Sequence, residues 1–150
     1  MKNFIFRYQD IPKGWTLCFN DNCTRKDECL RRQAAMLATD VAPEQNMRAL
    51  CVTPTAYRDG ECRLFAAVRT ELMAWGFSHL YDQVLRNDYA ELKDAIIQYL
   101  HGQTNYYRYR NGTKKLSEAQ QQWIANLFRR FGYEKAIRFD HYEYHTVFPF

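Results

Sequence analysis

Hydrophobic residues recur at helical spacing in two stretches of the chain. Over residues 88–100, Asp88 and Glu91 have the spacing of a capping box, and Gly102 follows where a helix C-terminus favours a left-handed residue. The apolar face of this predicted helix comprises Tyr89, Leu92, Ile96, Tyr99 and Leu100. In the second stretch Ser117 and Gln120 form a capping-box pair and Gly132 closes the helix. Its apolar stripe comprises Trp123, Ile124, Leu127, Phe128 and Phe131.

Strand patterns occupy the segments around these helices. The pair Asn111-Gly112, flanked by tyrosines, predicts a hairpin over residues 106–115. After Gly132 the alternation predicts strand, with a shift in parity at Asp140-His141 that a bulge or turn would explain. Residues 64–85 fit both periods, and we expect a strand ending at Gly76 followed by a helix over residues 78–85.

These elements predict an α+β fold. The 150 residues suit a single domain over residues 1–150, with a cysteine-rich, metal-organised part at 1–65 and an α+β part at 66–150. We expect an N-terminal metal knuckle, helices and C-terminal antiparallel strands. Hydrophobic residues at 47% and charged residues at 25% are close to globular averages and exclude a disordered tail or a coiled coil.

Charge and apolar runs restrict the cellular setting. The charged residues that interrupt the N-terminal apolar run predict no secretory signal, and no stretch has the ~18 apolar residues of a membrane span. We therefore expect a cytoplasmic protein with no membrane partner. Reducing conditions there favour metal binding over disulfides for clustered cysteines.

Three of the five cysteines, Cys18, Cys23 and Cys29, fall within twelve residues. The turn-forming residues 20–22 allow the chain to fold back between the first two. Cys51 and Cys62 follow. Thiolate-rich sets bind zinc or iron–sulfur clusters, so we expect zinc, with a [4Fe-4S] cluster as the alternative. Buried free thiols and a redox disulfide also fit the pattern, and spacing alone does not exclude Cys51 as a ligand.

A set of motifs is distributed along most of the chain, beginning with the run from Trp15 to Arg31. The later segments of the set are Cys62-Arg63-Leu64-Phe65, Asn105-Tyr106-Tyr107-Arg108, Gly112, Leu116-Ser117, Gln121, Gly132-Tyr133 and Phe139-Asp140-His141-Tyr142. Together they resemble a family of small cysteine-containing proteins of unknown function from anaerobic gut bacteria, with departures from the family pattern at Thr24 and Arg63, where proline is expected. The resemblance implies Cys18, Cys23, Cys29 and Cys62 as metal ligands, with Cys51 as the extra thiol or alternative ligand. Four protein ligands leave no open position, so such a zinc site would be structural.

Basic and aromatic residues alternate near the predicted hairpin. Residues 102–150 hold eight Lys/Arg against four Asp/Glu, which accounts for the net charge of +4. A nucleic-acid-binding face is predicted there, formed by Tyr107, Arg108, Arg110, Lys114 and Lys115. On a hairpin, Arg108 and Arg110 would point to the same side.

A protein-binding surface is the other interaction hypothesis. The aromatic C-terminal end would carry it, through Tyr142, Tyr144, Phe148 and Phe150. No nucleophile–base set, phosphate-binding loop or dinucleotide motif is present to predict an enzyme, so no catalytic residue is assigned. His141 and His145, on a strand, are too far apart to share a metal. The sequence thus predicts a metal-binding adaptor or binding module, with a redox protein or a protein-interaction module as alternatives.

Overall fold

The computed structural model describes residues 6–149, which fall into two compact units. The first extends to Thr70 and takes in the residues from His145 onward, and the second is Glu71–Tyr144. The α+β class is confirmed, with four α-helices and two small antiparallel sheets in the described residues. Phe150, part of the predicted protein-binding surface, lies outside the described residues.

The first unit is built around α1 (Leu30–Val41), which follows a 3-10 turn at Lys26–Glu28. Its buried face is made of small and branched residues at helical spacing: Leu30, Ala34, Ala35, Leu37 and Ala38. Phe6, Trp15, Leu17 and Ala66 complete this core, and Phe148 meets the Phe6 and Trp15 rings edge-on at 5.2 and 5.1 Å. Cys29 is the N-cap residue of this packed helix.

A short hairpin also belongs to the first unit. Strands β1 (Tyr57–Arg58) and β2 (Glu61–Cys62) pair antiparallel, with Tyr57 opposite Cys62. The turn residues Asp59 and Gly60 both have positive φ, 54° and 79°, as Asp-Gly hairpins require. The hairpin follows a 3-10 turn at Pro54–Ala56.

The second unit contains α2 (Arg86–Tyr99), α3 (Gln103–Asn111) and α4 (Glu118–Arg130), with α2 packed against both other helices. Its core includes Leu92, Ile96, Tyr106, Ile124 and Phe128. The Tyr99 and Trp123 rings stack at 3.7 Å, which joins α2 to α4. The predicted α4 is confirmed in full, including its Ser117–Gln120 capping box and the left-handed Gly132.

Strands β3 (Thr70–Trp75) and β4 (His141–Thr146) form the second sheet. Hydrogen bonds from Val147 N to Arg69 O (2.8 Å) and from Asp140 N to Gly76 O (3.1 Å) flank the pair and fix it as antiparallel. The predicted strand ending at Gly76 is confirmed. The parity shift at Asp140-His141 marks the place where irregular chain becomes β4.

The predicted hairpin at residues 106–115 is wrong, because residues 103–111 form α3. Tyr106 is buried and Tyr109 is half-buried, an i, i+3 pair that faces the core of the unit on a helix. Gly112, with φ 87°, provides the left-handed C-cap. The Asn-Gly pair that favours a hairpin turn therefore serves here as a helix end.

Three smaller expectations also fail. Asp88 lies inside the first turn of α2, whose N-cap is Leu85, and its carboxylate accepts a bond from the Tyr133 hydroxyl (2.5 Å) instead of capping. His101, not Gly102, takes the left-handed conformation after α2, with φ 64°. Residues 78–85 form turns and no helix. In the described part of the chain, no helix has the length and apolar character needed to cross a membrane.

Candidate functional site

Four of the five cysteines line one cavity in the first unit. The cavity has a volume of about 610 Å³ and is lined by Cys18, Cys23, Cys51 and Cys62. Its wall is mostly apolar, through residues such as Phe19, Val52, Pro54 and Tyr57, and also includes Asn20, Asn22 and Thr53. All five cysteines are free thiols.

Backbone pairing brings the segments that carry Cys18 and Cys51 together from distant parts of the sequence. Leu17 bridges Cys51 in parallel, through bonds from Leu17 N to Leu50 O and from Val52 N to Leu17 O, both 2.8 Å. Cys18 thereby comes beside the segment of Cys51. Cys62 lies in β2, directly opposite Tyr57, another wall residue of the cavity.

Cys23 is positioned by a polar loop. The Asn20 side chain accepts a hydrogen bond from Asn22 N (3.0 Å), and the Lys26 ammonium donates to Asp21 O (3.1 Å). Asp21 also forms an ion pair with Arg32 of α1. The turn that the sequence predicts at residues 20–22 is therefore present and is anchored to the helix.

Arg31 connects two of the cysteine-bearing segments. Its guanidinium donates to Leu64 O (2.6 Å) and to Thr16 O (3.1 Å), and its own carbonyl accepts from Cys18 N (3.2 Å). The same guanidinium lies 4.3 Å from the Trp15 ring centroid. The relative position of Cys18 and Cys62 thus depends on a side chain that is not a thiol.

Cys29, one of the ligands implied by the family resemblance, is placed differently. It is the N-cap residue of α1 and is buried, with its backbone bridged to Ala67. The residues that line the thiol cavity do not include Cys29. The structure therefore groups Cys51 with Cys18, Cys23 and Cys62. Across residues 6–149, no three or more His, Cys, Asp or Glu side chains are arranged so that they would hold a metal ion.

The basic segment in the second unit divides into two sides because it is helical. Tyr107 and Arg110 share one side of α3, with the guanidinium 5.8 Å from the Tyr107 centroid. Arg108 lies on another side, where Lys114 N donates to its carbonyl (3.0 Å). Lys115 projects over the Trp75 ring at 4.8 Å. The expectation that Arg108 and Arg110 point together is therefore wrong.

A cluster of tyrosines adjoins Tyr107 and Arg110. Tyr106 contacts Tyr107 edge-on at 5.5 Å and shares a 2.9 Å hydroxyl–hydroxyl hydrogen bond with Tyr81, which in turn contacts Tyr89 at 5.0 Å. Lys93 lies 5.7 Å from the centroids of both Tyr89 and Tyr106. Tyr89 and Lys93 were not predicted as binding residues, although their i, i+4 spacing on a predicted helix was a usable signal.

Burial controls the ionisation of this cluster. Desolvation raises the pKa of Tyr81 far above its usual 10, and its hydrogen bond to Tyr106 adds to the effect. Burial also raises the pKa of Tyr106, against the opposing effects of the bond to Tyr81 and of Lys93. Both groups remain neutral phenols at physiological pH, so neither adds a negative charge beside Lys93 and Arg110.

The aromatic C-terminal segment has a structural role in each unit. Phe148 is part of the first unit's core, and Asp140 accepts a hydrogen bond from Ser78 N (3.0 Å) in the second. His141 stacks on Trp75 at 5.1 Å, and Tyr142 accepts from Phe139 N (3.1 Å). Tyr144 is 70% exposed. Of the described residues predicted for protein binding, Tyr142 and Tyr144 are the ones left with exposed rings.

Comparison with known proteins identifies the family. The model of DUF6078, a family of unknown function, matches residues 1–147, so the chain belongs to this family. No curated protein and no solved structure matches the chain. The predicted resemblance to a family of unknown function is confirmed, and the gut-bacterial source remains a prediction.

Proposed function

We propose that this member of the DUF6078 family is a metal-binding module in which Cys18, Cys23, Cys51 and Cys62 bind one zinc ion. The observation that carries the proposal is that these four cysteines line a single cavity. Zinc in structural sites takes four ligands in a tetrahedron, and four thiolates are a usual set. With no open coordination position, the ion would stabilise the fold and would not act on a substrate.

The cavity favours Cys51 over Cys29 as a ligand. A ligand has to direct its sulfur toward the ion, and Cys51 lines the cavity whereas Cys29 does not. Cys51 is also exposed, whereas Cys29 is buried, so Cys51 is open to an ion that arrives from solvent. The proposed ligand set therefore includes Cys51, which the cysteine spacing alone had not excluded, in place of Cys29.

Metal binding would have to draw the sulfurs inward from their present positions. The two turns that carry Cys23 and Cys62, at residues 20–22 and 59–60, are where the backbone can adjust with least loss of packing, because both are exposed. Binding and ordering of these loops would then be coupled, as in other zinc modules. The binding free energy would add to the stability of the first unit.

The experiment compares matched cysteine variants of the full chain. Zinc content is measured by elemental analysis, and Co²⁺ is titrated as a spectroscopic probe whose sulfur-to-metal charge-transfer absorption reports thiolate ligation. We expect about one equivalent of zinc in the wild type. Each of Cys18→Ala, Cys23→Ala, Cys51→Ala and Cys62→Ala should weaken binding by more than the roughly 10–100-fold that outer-shell changes cost.

Cys29→Ala is the control and should bind like the wild type. Loss of binding in Cys29→Ala with binding retained in Cys51→Ala would overturn the proposed ligand set in favour of the one implied by the family resemblance. Iron with inorganic sulfide in anaerobically purified protein would indicate the cluster alternative. Failure of the wild type to bind either zinc or Co²⁺ would reject the proposed function.

A further inference from the structure

Tyr89 and Lys93 of α2, together with Tyr107 and Arg110 of α3, form an aromatic–basic surface in the second unit. The two tyrosine rings are 41% and 40% exposed, and each has a cation near its face. The two exposed rings are linked through the tyrosines between them. Tyr89 contacts Tyr81, the hydroxyl of Tyr81 is hydrogen-bonded to that of Tyr106, and Tyr106 contacts Tyr107. The buried Tyr106 ring and the half-buried Tyr81 ring thus hold the exposed rings in place.

The helical rows that carry this surface contain no acidic residue, although α2 also has Asp88, Glu91 and Asp94 outside its row. Residues 102–115, which include α3, contain no Asp or Glu. On α2, Arg86, Tyr89 and Lys93 are three and four residues apart and therefore share one face of the helix. Asp88, the acid next to Tyr89 in sequence, accepts the hydroxyl bond of Tyr133. Within residues 6–149, no carboxylate forms an ion pair with Lys93 or Arg110. The two cations are therefore available to a ligand.

We propose that the aromatic–basic surface binds single-stranded nucleic acid. Bases stack on exposed aromatic rings while Lys and Arg neutralise phosphates, and the surface provides two of each on rigid helices. Stable binding to an anionic membrane draws on a larger basic cluster or an inserted apolar face, whereas this surface has two cations and edge-packed tyrosines with hydroxyls. The proposal is independent of the zinc site, because all four residues belong to the second unit.

The chain supplies a matched control for charge. Arg108 is exposed, is on the same helix, and lies on another side from Arg110. Non-specific attraction to a polyanion would respond equally to Arg108→Glu and Arg110→Glu. A defined surface would respond to Arg110→Glu alone, so the pair separates the two cases.

The test measures the affinity for a labelled oligothymidine of about 12 nucleotides by fluorescence anisotropy, in about 50 mM salt. Arg110→Glu and Lys93→Glu should each weaken binding by about tenfold, and Tyr89→Ala and Tyr107→Ala by a similar factor. Tyr107→Phe keeps the ring and should bind like the wild type, which also separates stacking from misfolding. Two phosphate contacts predict a slope of about −1.4 for log K against log salt, and Arg110→Glu should reduce it by about 0.7.

Arg108→Glu should change affinity by less than about twofold. Equal losses in Arg108→Glu and Arg110→Glu, or no binding by the wild type, would overturn the proposal. Tighter binding to duplex DNA than to the single strand would do the same, since paired bases cannot stack on the tyrosines. So would tighter binding to phosphatidylserine vesicles, which would identify the surface as a membrane contact.

Discussion

Asp140 occupies the space that a side chain on Gly76 would need. A Cβ built on Gly76 would lie 2.6 Å from both Cβ and Oδ2 of Asp140, and Gly76 also has a φ of +88°. The backbones of the two residues are joined by the bond from Asp140 N to Gly76 O, and the Asp140 carboxylate accepts from Ser78 N. The end of β3 and the start of β4 are held together by this contact.

Replacing Gly76 with alanine should destabilise the second unit by about 2–4 kcal/mol, since left-handed strain and overpacking both apply. Gly132→Ala is the matched control, because Gly132 has a similar φ of +91° and nothing within 4 Å of its added Cβ. The control should lose about 1–2 kcal/mol from strain alone. Urea denaturation measures both, and equal losses would show that the Asp140 contact costs nothing.

The stability of the second unit should fall in acid through Asp140. Burial alone would raise the pKa of this carboxyl, but hydrogen bonds from Ser78 and the nearby His79 and His141 outweigh it and lower the pKa below 3.8. A lowered folded-state pKa stabilises the fold above the unfolded value, and that contribution is lost as pH falls through the folded value.

Asp140→Asn should therefore reduce stability at neutral pH and flatten the acid limb of the stability curve. Urea denaturation at several values between about pH 6 and pH 2 tests this, with exposed Asp94→Asn as the control. An acid limb as steep in Asp140→Asn as in the wild type would contradict the assignment.

Ser117 stabilises the N-terminus of α4. Its hydroxyl accepts from Gln120 N (3.2 Å), and the Gln120 side chain accepts from Ser117 N (2.9 Å). Ser117→Ala should cost about 1 kcal/mol in thermal or urea denaturation. Ser117→Asp keeps an acceptor at the cap and should recover most of the loss; if it is as unstable as Ser117→Ala, the cap is not the cause.

Arg31 should affect metal binding without being a ligand. Arg31→Lys keeps the charge but cannot donate to Thr16 and Leu64 from one planar group, so the Cys18 and Cys62 segments would be less well positioned. We expect zinc affinity to fall by about tenfold with stoichiometry unchanged. Competition with a chromogenic chelator measures it, and exposed Arg48→Lys is the control. Unaltered affinity in Arg31→Lys would show that the guanidinium does not position the site.

Removal of zinc should loosen one unit only. Hydrogen exchange followed by mass spectrometry, with and without a chelator, should show faster exchange in peptides from residues 16–66 and little change in Glu71–Tyr144. At a free zinc concentration 100 times Kd, the stabilisation would be about 2.7 kcal/mol. Equal acceleration in both units would contradict a site confined to the first.

The sequence predicted a helix or strand correctly where its capping residues and apolar pattern are compatible with one structure only. For α4, the Ser117–Gln120 pair, the apolar stripe and Gly132 all indicate the same helix, and the structure has it. Asn111-Gly112 has two interpretations, because positive φ suits both a hairpin turn and a helix C-cap. Tyr106, buried in a core built by distant residues, decided between them.

The residues of the candidate site were harder to predict from the sequence than the helices and strands. Cys18, Cys23 and Cys29 are close together in the sequence, yet the parallel bridge between Leu17 and Cys51 brings the more distant thiol to the cavity. Pairing between segments that are far apart in the sequence produces no local residue pattern from which it could be predicted. The same applies to Tyr89 and Lys93, whose relation to Tyr107 exists only once α2 has packed on α3.

The bond from Leu30 N to Ala66 O, together with those made by Arg31, has a consequence for the protein during synthesis. The first three cysteines leave the ribosome well before the segment that anchors α1 beside Cys62 has been made. Until residue 66 has emerged, the thiols are reactive groups on an unassembled chain. A disulfide formed at that stage would join two thiols before the contacts that set their native neighbours exist.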